Sequence, residues 1–155
     1  MLGRLAAEPA LLVGAGTVLR PDQVDVAHAA GARFVVSPGF APDVVDRARE
    51  LGMAVLPGIS TATELQAAVR HGVTLVKFFP AAAAGGLPVI AALAAPFPDV
   101  RFVPTGGITA ESAAHYLAHP AVPAVGGSWM VPPAALAAGD WERVRVLSAA
   151  VGGRP

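Results

Sequence analysis

The chain has 155 residues, 54% of them hydrophobic, with 11 acidic and 11 basic residues and a formal net charge of zero. That length fits one domain with a full core, and the balanced charge argues against non-specific nucleic-acid binding, which needs a net basic surface. Cysteine is absent, which excludes a disulfide framework, a thiolate nucleophile and a cysteine metal site.

The opening Met1-Leu2-Gly3-Arg4-Leu5-Ala6-Ala7-Glu8 lacks the continuous apolar stretch of a signal peptide and carries Glu8 early. No apolar run approaches the ~20 residues of a membrane span. The expectation is a soluble, cytoplasmic protein with no membrane partner.

Six short apolar segments then follow, each ending in a cluster of Gly, Pro, Ser or Thr. Residues 11–13 precede Gly14-Ala15-Gly16-Thr17, residues 34–36 precede Ser37-Pro38-Gly39, and residues 54–56 precede Pro57-Gly58-Ile59-Ser60. Residues 75–79 precede Pro80-Ala81, residues 101–103 precede Pro104-Thr105-Gly106-Gly107, and residues 124–125 precede Gly126-Gly127-Ser128. The clusters begin at residues 14, 37, 57, 80, 104 and 126, in steps of 20 to 24, which is room for strand, turn, helix and return loop.

The intervening stretches read as helices. Pro21 and Pro42 suit a first helical turn, where a missing N–H costs nothing. Thr61-Ala62-Thr63-Glu64 has capping-box form and precedes Leu65, Ala68 and Val69 at helical spacing. Gly31, Gly52 and Gly72 lie where helices should stop. Thr109 can cap a helix through residues 112–118, and Asp140 one over residues 141–151. The strands are nearly continuous in apolar residues, as in a covered parallel sheet. Six βα units predict a (β/α) barrel or an open doubly wound sheet. The regular unit length, and the Gly and hydroxyl residues gathered at strand C-terminal ends, favour the TIM-barrel class, whose sites are built at that end. A closed barrel needs eight strands and usually about 200 residues or more, so this single domain is expected to lack two units.

Three groups of residues bear on chemistry. The histidines, His28, His71, His115 and His119, lack a zinc-protease spacing, and no metal or cofactor is expected. The glycine pairs Gly106-Gly107 and Gly126-Gly127 end consecutive strands, each beside a hydroxyl residue, Thr105 and Ser128. Either pair alone serves equally well as a tight turn. Two together favour a phosphate held by backbone N–H groups, where barrels often place one after strands seven and eight. Third, Lys77 is the chain's only lysine, set in Leu75-Val76-Lys77-Phe78-Phe79-Pro80. A lysine at a strand end can snorkel to solvent. In apolar surroundings burial also lowers its pKa, and a neutral amine is what imine chemistry requires.

Taken in order, Gly14-Ala15-Gly16-Thr17-Val18-Leu19, Ser37-Pro38-Gly39, Pro57-Gly58-Ile59-Ser60-Thr61, Val76-Lys77-Phe78-Phe79-Pro80-Ala81, Pro104-Thr105-Gly106-Gly107-Ile108 and Gly126-Gly127-Ser128-Trp129-Met130-Val131-Pro132 closely resemble the bacterial KDPG/KHG (2-keto-3-deoxy-6-phosphogluconate) aldolase family. The resemblance runs from about residue 5 to residue 151. It implies a homotrimeric class I aldolase on a TIM barrel. Such an enzyme cleaves 2-dehydro-3-deoxy-6-phosphogluconate to pyruvate and glyceraldehyde 3-phosphate, and in many members 4-hydroxy-2-oxoglutarate to pyruvate and glyoxylate. By the resemblance Lys77 would form the Schiff base and Thr17 would contact the pyruvoyl carboxylate. Phe79 would line the wall beside the imine. Gly106, Gly107, Gly127 and Ser128 would hold the phosphate, with Thr105 lining that site.

The chain departs from the family in two respects, the smaller being Ala81-Ala82-Ala83-Ala84, a loop where the family usually has polar residues. The family carries its acid/base glutamate on the second barrel strand and a carboxylate-binding arginine four residues later, and the resemblance begins only just before the third strand. Glu64 reads as a helix cap, and Glu8, Glu50, Glu111 and Glu142 fall on helices or their edges. A catalytically impaired phosphosugar or pyruvate binder is therefore the alternative. A different phosphate-binding barrel enzyme would use the glycine pairs but has no need of Lys77.

Overall fold

A computed structural model describes residues 2–152 of the chain. After helix α1 (Leu2–Ala6) the order is β1 (Gly14–Ala15), α2 (Pro21–Ala29), β2 (Phe34–Val36), α3 (Pro42–Glu50), β3 (Ala54–Leu56), β4 (Gly58–Ile59), α4 (Ala62–Arg70) and β5 (Leu75–Phe78). Then come α5 (Gly86–Ala94), β6 (Arg101–Pro104), α6 (Ala110–Leu117), α7 (Pro133–Ala138) and α8 (Trp141–Gly152).

The local signals explain most of these boundaries. Pro21 and Pro42 stand at the first positions of α2 and α3. Thr61 Oγ1 accepts the Glu64 N–H at 3.3 Å while Glu64 Oε2 accepts the Thr61 N–H at 2.8 Å, so the capping box of α4 is closed from both sides. Thr109 and Ser112 close a similar box on α6, and Asp140 Oδ1 accepts the Arg143 N–H at 3.0 Å at the start of α8. Just past α2, α3 and α4, Gly31, Gly52 and Gly72 take φ of 87°, 67° and 73°.

All strand pairs are parallel, in two three-stranded sheets ordered β1-β2-β3 and β4-β5-β6. One extended segment joins them. Its first half, β3, pairs with β2, and its second half, β4, pairs with β5. Pro57 lies between the halves, and its carbonyl accepts the Lys77 N–H at 2.8 Å. The C-terminal ends of all six strands therefore face the same way.

Side chains on one face of the strands are sealed beneath the helices, with Val35, Val76, Phe78 and Phe102 fully buried. They belong to two hydrophobic clusters, a smaller one on β1–β3 and a larger one on β4–β6, and Val55 packs against both. The opposite face is more open.

Two strand expectations shift. Residues 11–13 are not a strand, since β1 is Gly14–Ala15 and Leu12 is 74% exposed. Only Val13 is drawn in, its carbonyl accepting the Arg33 N–H at 2.8 Å. Residues 124–125 form no strand either. The chain meets the β6 edge there through an isolated bridge, Thr105 to Gly126, and two backbone bonds, the Gly126 N–H donating to the Pro104 carbonyl at 2.9 Å and the Phe102 N–H to the Ala121 carbonyl at 2.8 Å. Among the described residues, no helix is long and apolar enough to cross a membrane.

Candidate active site

Lys77 occupies β5 in register with Gly58 on one side and Val103 on the other. Strand alternation turns Val76 and Phe78 into the helix-covered core, and so turns Lys77 to the open face. The side chain is half-buried. Among the described residues it makes no hydrogen bond or ion pair, and Nζ lies 4.4 Å from the Phe79 ring centroid. Burial pushes the amine below the ordinary lysine value. The ring face pulls the other way by favouring the ammonium, but removal from water is the larger influence, since no anion among the described residues stands beside Nζ. The result is an amine more easily made neutral than a solvated lysine.

Gly58 explains how the neighbouring loop comes so close to this position. A Cβ built there would collide with the Pro38 carbonyl, so the loop after β2 packs against bare backbone directly across from Lys77. Ser37, 2% exposed, fixes that loop by donating its hydroxyl to the Gly39 carbonyl at 2.7 Å. In the sequence Gly58 falls within a turn cluster. Its signal was a glycine beside β-prone Ile59, a pattern that marks close backbone approach within a strand.

Thr17 follows β1 and has a φ of 59°, alone among the described non-glycine residues in the left-handed region. For a β-branched side chain this costs roughly 1–3 kcal/mol, and such strain collects at functional sites. The next residue is tied down, with the Val18 N–H donating to the Val36 carbonyl at 3.0 Å.

The two glycine loops lie side by side because Thr105 bridges to Gly126. Gly106 and Gly107 take φ of 94° and 77°. The N–H groups of Gly106, Gly107, Gly127 and Ser128 donate to no acceptor among the described residues. Thr105 Oγ1 is buried and also without a partner there. Unpaired donors on adjacent loops suit an oxyanion. Gly127 also seats the Trp129 ring, which occupies the space a Cβ would need.

A carboxylate does reach a strand end. Glu64 folds back so that Oε2 accepts the Ser60 N–H and the Thr61 N–H at 2.8 Å each and the Thr61 hydroxyl at 2.9 Å. Burial pulls its pKa up, but these hydrogen bonds prevail and hold it below the usual glutamate value. A carboxylate so satisfied is a poor proton acceptor, so the cap reading of Glu64 stands. No cluster of His, Cys, Asp and Glu among the described residues is arranged to hold a metal.

The family described as KDPG and KHG aldolase matches residues 4–147. The chain belongs to this family. It is 54% identical over 138 residues to the 2-dehydro-3-deoxy-phosphogluconate aldolase of Treponema pallidum, covering 89% of this chain and 66% of that protein. It is 46% identical to the KHG/KDPG aldolase of Escherichia coli, over 90% of this chain and 66% of that one. The chain thus spans just under two thirds of the length of these curated relatives. Among solved structures, the KDPG aldolase of Legionella pneumophila, with pyruvate captured at low pH as a covalent carbinolamine intermediate, superposes with a TM-score of 0.94. That match is 40% identical and covers 98% of this chain and 74% of the other. A 3-hexulose-6-phosphate synthase, 23% identical with a TM-score of 0.64, shares the α/β fold.

Proposed function

We propose that this member of the KDPG/KHG family is a class I aldolase in which Lys77 is the imine-forming residue. The observation that carries the reading is the state of that amine: the chain's only lysine, half-buried, unpaired among the described residues and lowered in pKa by burial. The substrate is 2-dehydro-3-deoxy-6-phosphogluconate, with 4-hydroxy-2-oxoglutarate as a second one. The capture of pyruvate as a carbinolamine by the Legionella relative supports the pyruvoyl end of this assignment.

Neutral Lys77 adds to the C2 ketone, and the carbinolamine loses water to give a protonated imine. The C4 hydroxyl gives its proton to solvent, and the C3–C4 electron pair moves into the iminium. That step releases glyceraldehyde 3-phosphate and leaves an enamine. Protonation at C3 and addition of water then free pyruvate and regenerate the amine. The unpaired N–H groups of Gly106, Gly107, Gly127 and Ser128 hold the phosphate, with Thr105 Oγ1 beside them, so that the far end of the substrate orients the near end. Thr17 meets the carboxylate and Phe79 walls the imine. No cofactor is used.

In this reading the chain is one domain of the (β/α)8-barrel class, with five extended segments and only the Thr105–Gly126 bridge where a sixth was expected, and works in the cytoplasm as a homotrimer. The commitment of Glu64 to its cap favours a second reading, an imine-forming binder that turns over slowly. Loss of a general acid/base costs about 10²–10⁴-fold. Borohydride reduction with pyruvate, followed by peptide mass mapping, tests the imine. An unmodified Lys77 peptide sinks both readings. Turnover of the keto-deoxy-phosphosugar then decides between them.

A further inference from the structure

The loop after β6 and the loop after β5 are joined by backbone hydrogen bonds. The Thr105 carbonyl accepts the Ala81 N–H at 2.8 Å and the Gly106 carbonyl accepts the Ala82 N–H at 3.0 Å. At this seam a Cβ built on Gly106 would lie 3.1 Å from Phe79 Cε2, 3.2 Å from Phe79 Cδ2 and 3.2 Å from Pro80 Cα. These distances are shorter than ordinary van der Waals contact, so the bare Cα of Gly106 is what allows the Phe79 ring its place. The same ring stands 4.4 Å from Lys77 Nζ, which has no hydrogen bond or ion pair among the described residues.

We infer that Gly106 is a positioning residue for Lys77, acting through the Phe79 ring. A methyl group at position 106 must displace the ring by a few tenths of an ångström or be displaced itself. Because the ring is the one specific partner of Nζ among the described residues, moving it changes how strongly the ammonium is favoured over the amine. The inference rests on the imine reading of Lys77. It is separable from any phosphate contact of Gly106, because pyruvate carries no phosphate.

The test is the pH dependence of borohydride trapping of pyruvate on the full chain, read by intact mass. Gly106→Ala is expected to move the midpoint by several tenths of a pH unit. Gly52→Ala keeps the original midpoint; it imposes the same left-handed backbone, at a φ of 67°, with nothing within 4 Å of the new methyl. Phe79→Leu moves the midpoint on its own, and adding Gly106→Ala to it changes nothing further, since no ring remains to be pushed. An unmoved midpoint in Gly106→Ala overturns the inference. If Gly106→Ala does not fold, Phe79→Leu alone decides: a moved trapping midpoint supports the ring as the group through which position 106 acts on Lys77, and an unmoved one overturns the inference. Trapping in the unaltered chain separates the two levels. No adduct at any pH removes the imine reading and this inference together, whereas an adduct whose midpoint ignores position 106 removes only the inference.

Discussion

The two faces of the central strands differ in burial although each carries apolar residues. On the helix side Val76, Phe78 and Phe102 are fully buried, while on the other side Leu75 keeps 42% of its surface and Lys77 is half-buried. Adjacent residues of one four-residue strand thus do different work. Val76 and Phe78 hold the fold, and Lys77 is left reachable and short of water. An amine needs both conditions to become a nucleophile near neutral pH, and a residue sealed into the helix-side core would have only one of them.

The largest effect that tests this division is chemical. Lys77→Met is expected to abolish borohydride-trapped pyruvate, with intact mass as the readout. The only other amine on the chain is its N-terminus, so an adduct surviving in the variant would break the assignment. The same variant is not expected to unfold more easily, because methionine fills similar space without the burial cost of an ammonium. Stability should also respond to pH in a defined direction. The folded pKa of Lys77 lies below its unfolded value, so between the two the unfolded chain binds more protons and stability rises as pH rises. Urea midpoints measured across that window should climb in the unaltered chain and lose that climb in Lys77→Met.

The helix-side counterpart is Phe78→Ala, which removes a fully buried ring from the larger cluster. It should cost about 3–5 kcal/mol in urea unfolding. A cost near 1 kcal/mol would mean that the two faces are energetically alike.

How far the sequence foretold these features follows from the range of the forces involved. The caps at Thr61, Thr109 and Asp140 were legible because each is settled within four residues. Lys77 was legible as a lone cation in an apolar strand, and the six motifs placed it in its family. Residues 11–13 look like a strand in sequence and are not one, because an apolar run becomes a strand only where a neighbour offers a ladder, and here pairing begins only at Val13. Residues 124–125 differ for a similar reason, with the β6 edge met at isolated points, Ala121 and Gly126, rather than along a ladder. The contrast between the faces was only hinted at in sequence, by Lys77 and Arg101 sharing the alternation phase of Leu75 and Val103. The contacts of Gly58 with Pro38 and of Gly106 with Phe79 join separate strand ends and can be read only once those ends meet.

A third prediction concerns Glu64, placed between cap and chemistry. Thr61→Ala should cost about 1 kcal/mol, the usual worth of an N-cap. Glu64→Gln should also destabilise, in a pH-dependent way. The folded pKa is below the ordinary value, so the stabilisation is present above the unfolded pKa and is lost as pH falls through the folded one. The stability gap between parent and variant should therefore close on acidification. A gap that is constant with pH would show that the charge on Glu64 contributes nothing to the cap.

The smallest expected effect is the sharpest test of the open face. Leu75→Thr exchanges a γ-branched residue for a β-branched one that suits a strand, at a position already 42% exposed. On an uncovered face the change should stay within about 0.5 kcal/mol, as for most surface substitutions. Phe78, three residues away on the same strand, lies an order of magnitude above that. If Leu75→Thr instead costs as much as a core truncation, and the cost grows with protein concentration, the face must be covered in solution by another copy of the chain. A large cost independent of concentration would place the cover within the chain. Only the small effect is consistent with a strand that is buried on one side and leaves Lys77 accessible on the other.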